Sequence, residues 1–541
     1  MTQLKVSRRH VLKGVGIAAS GMLAPFTVAT SAPAFSHGVA SGDPLADRVI
    51  LWTRVTPKAG ANGPIEVRWE IAADAELRRT VRSGTALTDA DRDYTVKVDA
   101  DGLEPGSTYY YRFRVGDAVS PTGRTRTLPA DGVRELKFAV VSCSNYPQGY
   151  FNVYHDIAAR DDIDAVLHLG DYIYEYAAGG YSNPHAVNFG HVVEPEHELV
   201  TLQDYRARHG VYKTEPGLQA VHAAHPMIAV WDDHESANDS WRHGAENHDE
   251  TQGSWYERKR ASVQAYREWL PIRDEGDDPL KIYRHFDFGG LADLIMLDAR
   301  LIGRSEPLLY AEHLGDPGTD AGRFRAQLED PERTILGREQ LTWLEERLEQ
   351  ARTPWQILGQ QILMGKVRLP DLLDVAAFRE GGPFDRASAE RLLDIAEAGL
   401  PLNLDAWDGY PASRERVFAA ARRHGSQLIS LAGDTHNAWA FNMMDSEGRP
   451  AGVEFATPSV TSPGMEIVPV PPGILAERFV NLNPELVYLD SSRRGWMEIT
   501  ITPESATSRW RFVTTVLSRK WYGLLGPALQ VNAGEASLRR A

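Results

Sequence analysis

The chain has 541 residues, more than a single hydrophobic core encloses, so two or more domains are expected. Its 43% hydrophobic and 24% charged residues are the makeup of a soluble protein, and a formal net charge of -16 excludes a nonspecific nucleic-acid binder, whose affinity comes from clustered cations. A small phosphorylated substrate, held by metal ions in a local pocket, remains compatible with that charge.

The first 34 residues read as an address. Ser7-Arg8-Arg9-His10-Val11-Leu12-Lys13 sets paired arginines ahead of the apolar stretch from Val15 to Ala29, and Ala32-Pro33-Ala34 offers a small-residue cleavage site before Phe35. This resembles a twin-arginine signal, so the expected partner is the twin-arginine translocation machinery and the expected location is periplasmic or secreted. No later stretch is long and apolar enough to span a bilayer, so no stable membrane anchor is expected after cleavage. The single cysteine excludes an intrachain disulfide even in an oxidising compartment. Cys143 is then either a buried inert thiol or a metal ligand.

Residues 35–131 alternate apolar and polar positions in short runs, at Val49 to Trp52, Ile65 to Ile71, Thr95 to Val98 and Tyr109 to Val115, with a Pro105-Gly106 turn before the tyrosine-rich run. That pattern predicts a small β-sandwich of fibronectin or immunoglobulin type. From 132 to 541 strands alternate with amphipathic stretches. Helices are predicted over Tyr256 to Leu270 and Arg338 to Arg352, and strands over Ala292 to Leu297 and Trp355 to Leu363. The irregular segments Ala177 to Val200 and Asp239 to Gly253 are expected to rim a site. Val516 to Leu529 has helical apolar spacing and is read as a C-terminal helix.

Four apolar runs in the second region end in clusters of metal-type ligands. Phe138 to Val141 leads into Ser142-Cys143-Ser144-Asn145, and Ala165 to Leu169 into Gly170-Asp171-Tyr172-Ile173-Tyr174. Met227 to Trp231 leads into Asp232-Asp233-His234-Glu235, and Leu428 to Ala432 into Gly433-Asp434-Thr435-His436. Buried strands whose ligand groups gather beyond their carboxyl ends predict a metal site along one sheet edge. Two-metal phosphoester hydrolysis needs a bridging carboxylate, and Asp171 is the candidate. Tyr174, three residues on, is placed to reach the same ion.

Together these motifs resemble the calcineurin-like metallophosphoesterases. Trp231-Asp232-Asp233-His234-Glu235, Leu404-Asp405-Ala406-Trp407-Asp408-Gly409-Tyr410-Pro411 and the opening His37-Gly38-Val39-Ala40-Ser41-Gly42-Asp43-Pro44 are similar to the PhoD-like alkaline phosphatase and phosphodiesterase family. The resemblance implies an α/β metallophosphoesterase core, a two-sheet αββα sandwich like that of the purple acid phosphatases. It also implies a centre of iron(III) and calcium. Carried over, iron takes Cys143, Asp171, Tyr174 and His436, and calcium takes Asp171, Asp233 and Asp434. Carboxylates in place of imidazoles suit calcium. Asn238 is a further candidate calcium ligand, and Gln360 stands where the superfamily draws a histidine. His234 is the candidate phosphate or leaving-group residue. Arg300 is a candidate phosphate clamp, with an ion pair as its alternative.

The leading expectation is an exported phosphoester hydrolase acting on small phosphomonoesters or phosphodiesters. A phospholipase D-like diesterase is the nearest alternative, although no basic amphipathic anchor is evident. A non-catalytic, calcium-stabilised binding protein is the alternative of another class.

Overall fold

The computed structural model describes residues 33–58, 63–274, 276–310, 321–370 and 394–541; Arg8-Arg9 and the apolar stretch behind them lie outside the described residues. Among the described residues, no helix is long and apolar enough to cross a membrane.

The strands Leu136–Val141, Ala165–His168 and Pro226–Ala229 lie parallel and adjacent. All their side chains are buried except Lys137 and all but Lys137 and His168 are apolar, as strands covered on both faces are, and the buried His168 has the Tyr154 hydroxyl 2.9 Å from Nε2. They form the centre of a ten-stranded sheet. On one side Gly495–Ile501 adds antiparallel and leads out through Ser505–Val513, Gly523–Asn532 and Arg539–Arg540. On the other, Val39–Gly42 pairs parallel with Pro226–Ala229 and leads out through Val49–Arg54 and Thr95–Ala100.

A seven-stranded sheet contains Ala292–Met296, Trp355–Gly359, Leu428–Ala432 and Pro450–Ala456 as a parallel set. Its side chains alternate between two cores, as the period of a strand requires. Leu294, Ile357, Ile429 and Val453 join Phe138, Val140 and Leu167 of the larger sheet, and the rings of Phe138 and Phe288 meet edge to face with centroids 4.9 Å apart. Ile295, Leu358 and Leu428 point the other way, into a core shared with the helices Gly337–Gln350 and Pro411–His424. Truncating a side chain such as Phe138 in the shared core costs about 3–5 kcal/mol, since the neighbouring strands cannot collapse into the gap.

Residues 35–131 are not the self-contained sandwich that alternation suggested. Ile65–Ala72, Thr80–Thr88, Thr108–Val115, Ala118–Val119 and Gly123–Arg126 form a separate five-stranded sheet. It packs through Val67, Ile71, Tyr111 and Phe113 onto Val39, Leu51 and Val96, which belong to the wing of the ten-stranded sheet. Without Val39–Gly42, Pro226–Ala229 would present an unpaired edge, and that pairing recruits the wing. Phe35, the residue after the expected cleavage site, is fully buried in the same core.

The expected C-terminal helix is also corrected. Gly523–Asn532 is a strand antiparallel to Ser505–Val513, with a register shift opposite Arg509/Arg511. Pro527 cannot donate to a helical ladder, and Gly523 and Gly526 are poor helix formers, so the apolar spacing of the segment misled. The helices Trp255–Trp269 and Gly337–Gln350 lie within two residues of expectation.

Candidate metal centre

Ligand atoms of Cys143, Asp171 and His436 lie within 4.8 Å of one another, as do those of Asp171, Asp233 and His234, and those of Asp232, Asp233 and Asp434. These residues follow the carboxyl ends of four strands, three parallel neighbours of the ten-stranded sheet and Leu428–Ala432 of the seven-stranded sheet. Asp171 belongs to the first two groups and Asp233 to the last two, so the three groups form one continuous centre.

The backbone is strained where these side chains project. Cys143, Asp171, Asp434 and His436 have φ of 62°, 56°, 60° and 62°, and Asp239 beside Asp233 has 49°. Left-handed non-glycine residues are uncommon and persist where surrounding structure over-determines them. Gly170 has φ of 112°, and a Cβ there would lie 2.3 Å from the Cβ of Asp232, so only glycine lets the Asp171 and Asp232 loops touch. Glu235 ties the same loops together. Its carboxylate accepts the amides of Asp171 at 3.1 Å and Asp232 at 2.7 Å, and that of Tyr172.

Tyr174 is 1% exposed and donates to Asp171 Oδ2 at 2.9 Å, with His436 Nε2 3.4 Å from its hydroxyl. Ser462 donates to the Tyr174 oxygen at 2.7 Å. His436 Nδ1 donates to the Pro463 carbonyl at 2.7 Å, and burial lowers the ring to about 3. The neutral imidazole therefore turns the lone pair of Nε2 toward Tyr174 and Asp171, the tautomer a metal requires. His234 Nδ1 lies 2.8 Å from Glu175 Oε2, and its ring packs 4.3 Å from that of Tyr174. Burial alone would lower His234, but Asp233, Glu175 and Asp171 outweigh it and hold the imidazole well above its ordinary value.

Burial, reinforced by Asp232, Asp233 and Glu235, pushes Asp171 far above the carboxylate range; burial and Asp171 do the same to the Cys143 thiol. Asp171 Oδ1, Asp232 Oδ2 and Asp233 Oδ1 are buried without a hydrogen-bond partner. Each such orphan costs about 1–3 kcal/mol, more for a charged group. Converging carboxylates with free lone pairs fit one or more cations, which would satisfy those oxygens and reverse the pKa shifts.

Arg300 is not an open phosphate clamp. It is fully buried, with Nε donating to Asp232 at 2.5 Å, one terminal nitrogen to Asp405 at 2.6 Å and the other to Asp434 at 3.1 Å. It is a fixed positive charge joining loops from both large sheets. Gln360 is corrected as well. Its oxygen accepts from Trp407 Nε1 and the Ile362 amide, and its nitrogen donates to Ile362 O and Ser430, which leaves no donor facing the centre. Asn238 sits at the rim, with its oxygen accepting from Tyr176 at 3.1 Å and its amide donating to Glu246.

Sequence reasoning quoted Glu235 within a ligand motif without giving it a role, and missed Glu175, Ser462 and the pairing of Asp405 with Arg300. Glu175 directly follows the motif that ends at Tyr174, which was a usable signal. Ser462 lies 26 positions beyond His436 and carried none.

A carboxylate-rich centre at the carboxyl edges of two parallel strand sets has the architecture of a phosphoesterase. The chain belongs to the PhoD-like phosphatase family: the family profile matches residues 138–510, and the profile of the family's N-terminal domain matches residues 20–129. It is 35% identical to alkaline phosphatase D of Bacillus subtilis (strain 168), with 94% of this chain and 85% of that protein covered. The solved structure of PhoD superposes with a TM-score of 0.78 at 33% identity, covering 94% of this chain and 92% of that one.

Proposed function

We propose that this phosphoester hydrolase of the PhoD-like family is an exported enzyme that holds iron(III) and calcium and cleaves small phosphomonoesters or phosphodiesters. The observation that carries the reading is the convergence of Cys143, Asp171 and His436 beside Asp233 and Asp434. Thiolate, phenolate and imidazole together suit iron, so Cys143, Asp171, Tyr174 and His436 would hold it. Asp171, Asp233 and Asp434, with Asn238 at the rim, offer only oxygen and suit calcium. When bound, such metals supply Lewis-acid charge and lower the pKa of an attacking water. The large sheets are read as the inner layers of an αββα sandwich.

The chain's own residues then position and protonate. Glu175 fixes the ring of His234 through Nδ1, leaving Nε2 free to donate to a phosphoryl or leaving-group oxygen. Arg300 holds Asp232 and Asp434 in register while remaining out of reach of substrate. Tyr176 and Tyr181 stand over this face, where the Tyr181 hydroxyl lies 3.4 Å from His436 Nδ1 and restricts entry. The test is metal analysis of the purified protein together with hydrolysis of a chromogenic monoester and diester. Activity lost on chelation and restored by calcium better than by zinc is expected; full activity of thoroughly calcium-depleted enzyme overturns the calcium assignment.

A further inference from the structure

The turn joining Ser505–Val513 to Gly523–Asn532 carries an exposed apolar tip. Leu517 is 49% exposed, Tyr522 77%, Leu524 41% and Leu525 65%. Successive strand residues point to opposite faces, so exposure of both Leu524 and Leu525 means that neither face of the tip is covered. Leu524 and Leu525 are laddered to Phe512 and Arg511, so the apolar surface is held in place at the end of the hairpin, a costly display in water unless it meets something.

The base of the turn is anchored. Tyr150 N donates to Val516 O at 2.7 Å, and the Asn152 amide donates to Thr515 O at 2.8 Å and Ser518 O at 2.9 Å. Arg519 lies over the Tyr150 ring, 4.4 Å from its centroid. The tip is thus fixed to the segment that carries Cys143, at one side of the catalytic face.

Its charge is opposite in sign to that of the whole chain. Between Thr514 and Gln530 the only charged residues are Arg519 and Lys520, both exposed, on a chain whose net charge is -16. Leucines to bury, a tyrosine and a tryptophan at the boundary and adjacent cations are what an anionic lipid surface binds. A second copy fits poorly, because a twofold contact between two tips would gather four cations in one small interface with no acidic residue of the tip to neutralise them.

We propose that this turn docks the enzyme reversibly on anionic membranes. It escaped the sequence reading because the binding element is the end of a β-hairpin and not a basic amphipathic helix.

The test is flotation of the whole protein with phosphatidylcholine vesicles and with equimolar phosphatidylcholine–phosphatidylglycerol vesicles. Binding roughly tenfold or more tighter to the anionic vesicles, weakened by salt, is expected. Tyr522→Ser combined with Leu524→Ser and Leu525→Ser should abolish it while leaving thermal stability and hydrolysis of a soluble ester unchanged. Lys520→Glu, a single exposed change, should weaken it even if the triple variant folds poorly. Native protein that ignores both vesicles overturns the proposal. So does a folded triple variant that floats like the native protein. A native dimer in light scattering that the triple variant converts to monomer also overturns it, making the tip a self-interface.

Discussion

The Glu235 carboxylate accepts the amide of Asp171 across the gap between two parallel strand ends, at 3.1 Å, while also accepting the amide of Asp232 from its own loop. One side chain thereby sets the left-handed turn that aims Asp171 and the loop that carries Asp233. Glu235→Gln keeps the shape but replaces one acceptor oxygen with a donor facing an amide. The expected loss is about 1–3 kcal/mol of stability with a larger fall in bound metal, read by thermal melting and metal analysis. Unchanged metal content would show that the turn holds without this carboxylate.

Arg300 separates a buried brace from a substrate clamp. Arg300→Lys cannot reach Asp232, Asp405 and Asp434 at once, because an ammonium is a point charge and a guanidinium a fork. A destabilisation of about 3–5 kcal/mol is expected from leaving buried carboxylates unpaired, visible in denaturant unfolding. A clamp would instead raise KM on a protein of native stability, and that split between KM and stability decides the matter.

Legibility from sequence followed physical range. The four apolar runs were readable because a strand buried on both faces is apolar on both, with His168 and Ser430 the polar exceptions, and the groups just past those runs are the ones the structure gathers. Arg300 was visible but its role was not, since its partners Asp232, Asp405 and Asp434 lie 68, 105 and 134 positions away. Gln360 was placed by its slot on a strand, and only packing reveals that its amide turns to Trp407. The wing strands Val39–Gly42 and Val49–Arg54 are short and turn-bounded as sandwich strands are; the unbroken apolar run Val49 to Trp52 marks burial on both faces, but nothing local shows that it continues a distant sheet. For the C-terminal strand the contrary signal was present, in Gly526 and Pro527, and apolar spacing outweighed it.

The proposed twin-arginine leader makes a prediction independent of the folded domain. Replacing Arg8 and Arg9 with lysines keeps the charge but removes the paired guanidinium groups, so precursor should accumulate inside the cell. Fractionation followed by immunoblotting measures this. Normal export of the variant would leave an ordinary secretory signal in place of a twin-arginine one.

Tyr174 discriminates between metals. Its hydroxyl donates to Asp171 Oδ2, and burial together with the Asp171 charge raises it well above the ordinary phenol. A phenol so placed stays protonated unless a strongly charged ion beside it reverses the balance, as iron(III) does and calcium alone does not. The purified protein should therefore be coloured by phenolate-to-iron charge transfer. Tyr174→Phe should bleach or shift that band, and Cys143→Ser should perturb it separately through loss of the thiolate. The Ser462 contact gives a finer control: Ser462→Ala removes the 2.7 Å hydrogen bond to the Tyr174 oxygen without removing a ligand, so it should shift the band and leave iron bound. A colourless, fully active enzyme containing zinc would refute iron while leaving a two-metal hydrolase standing.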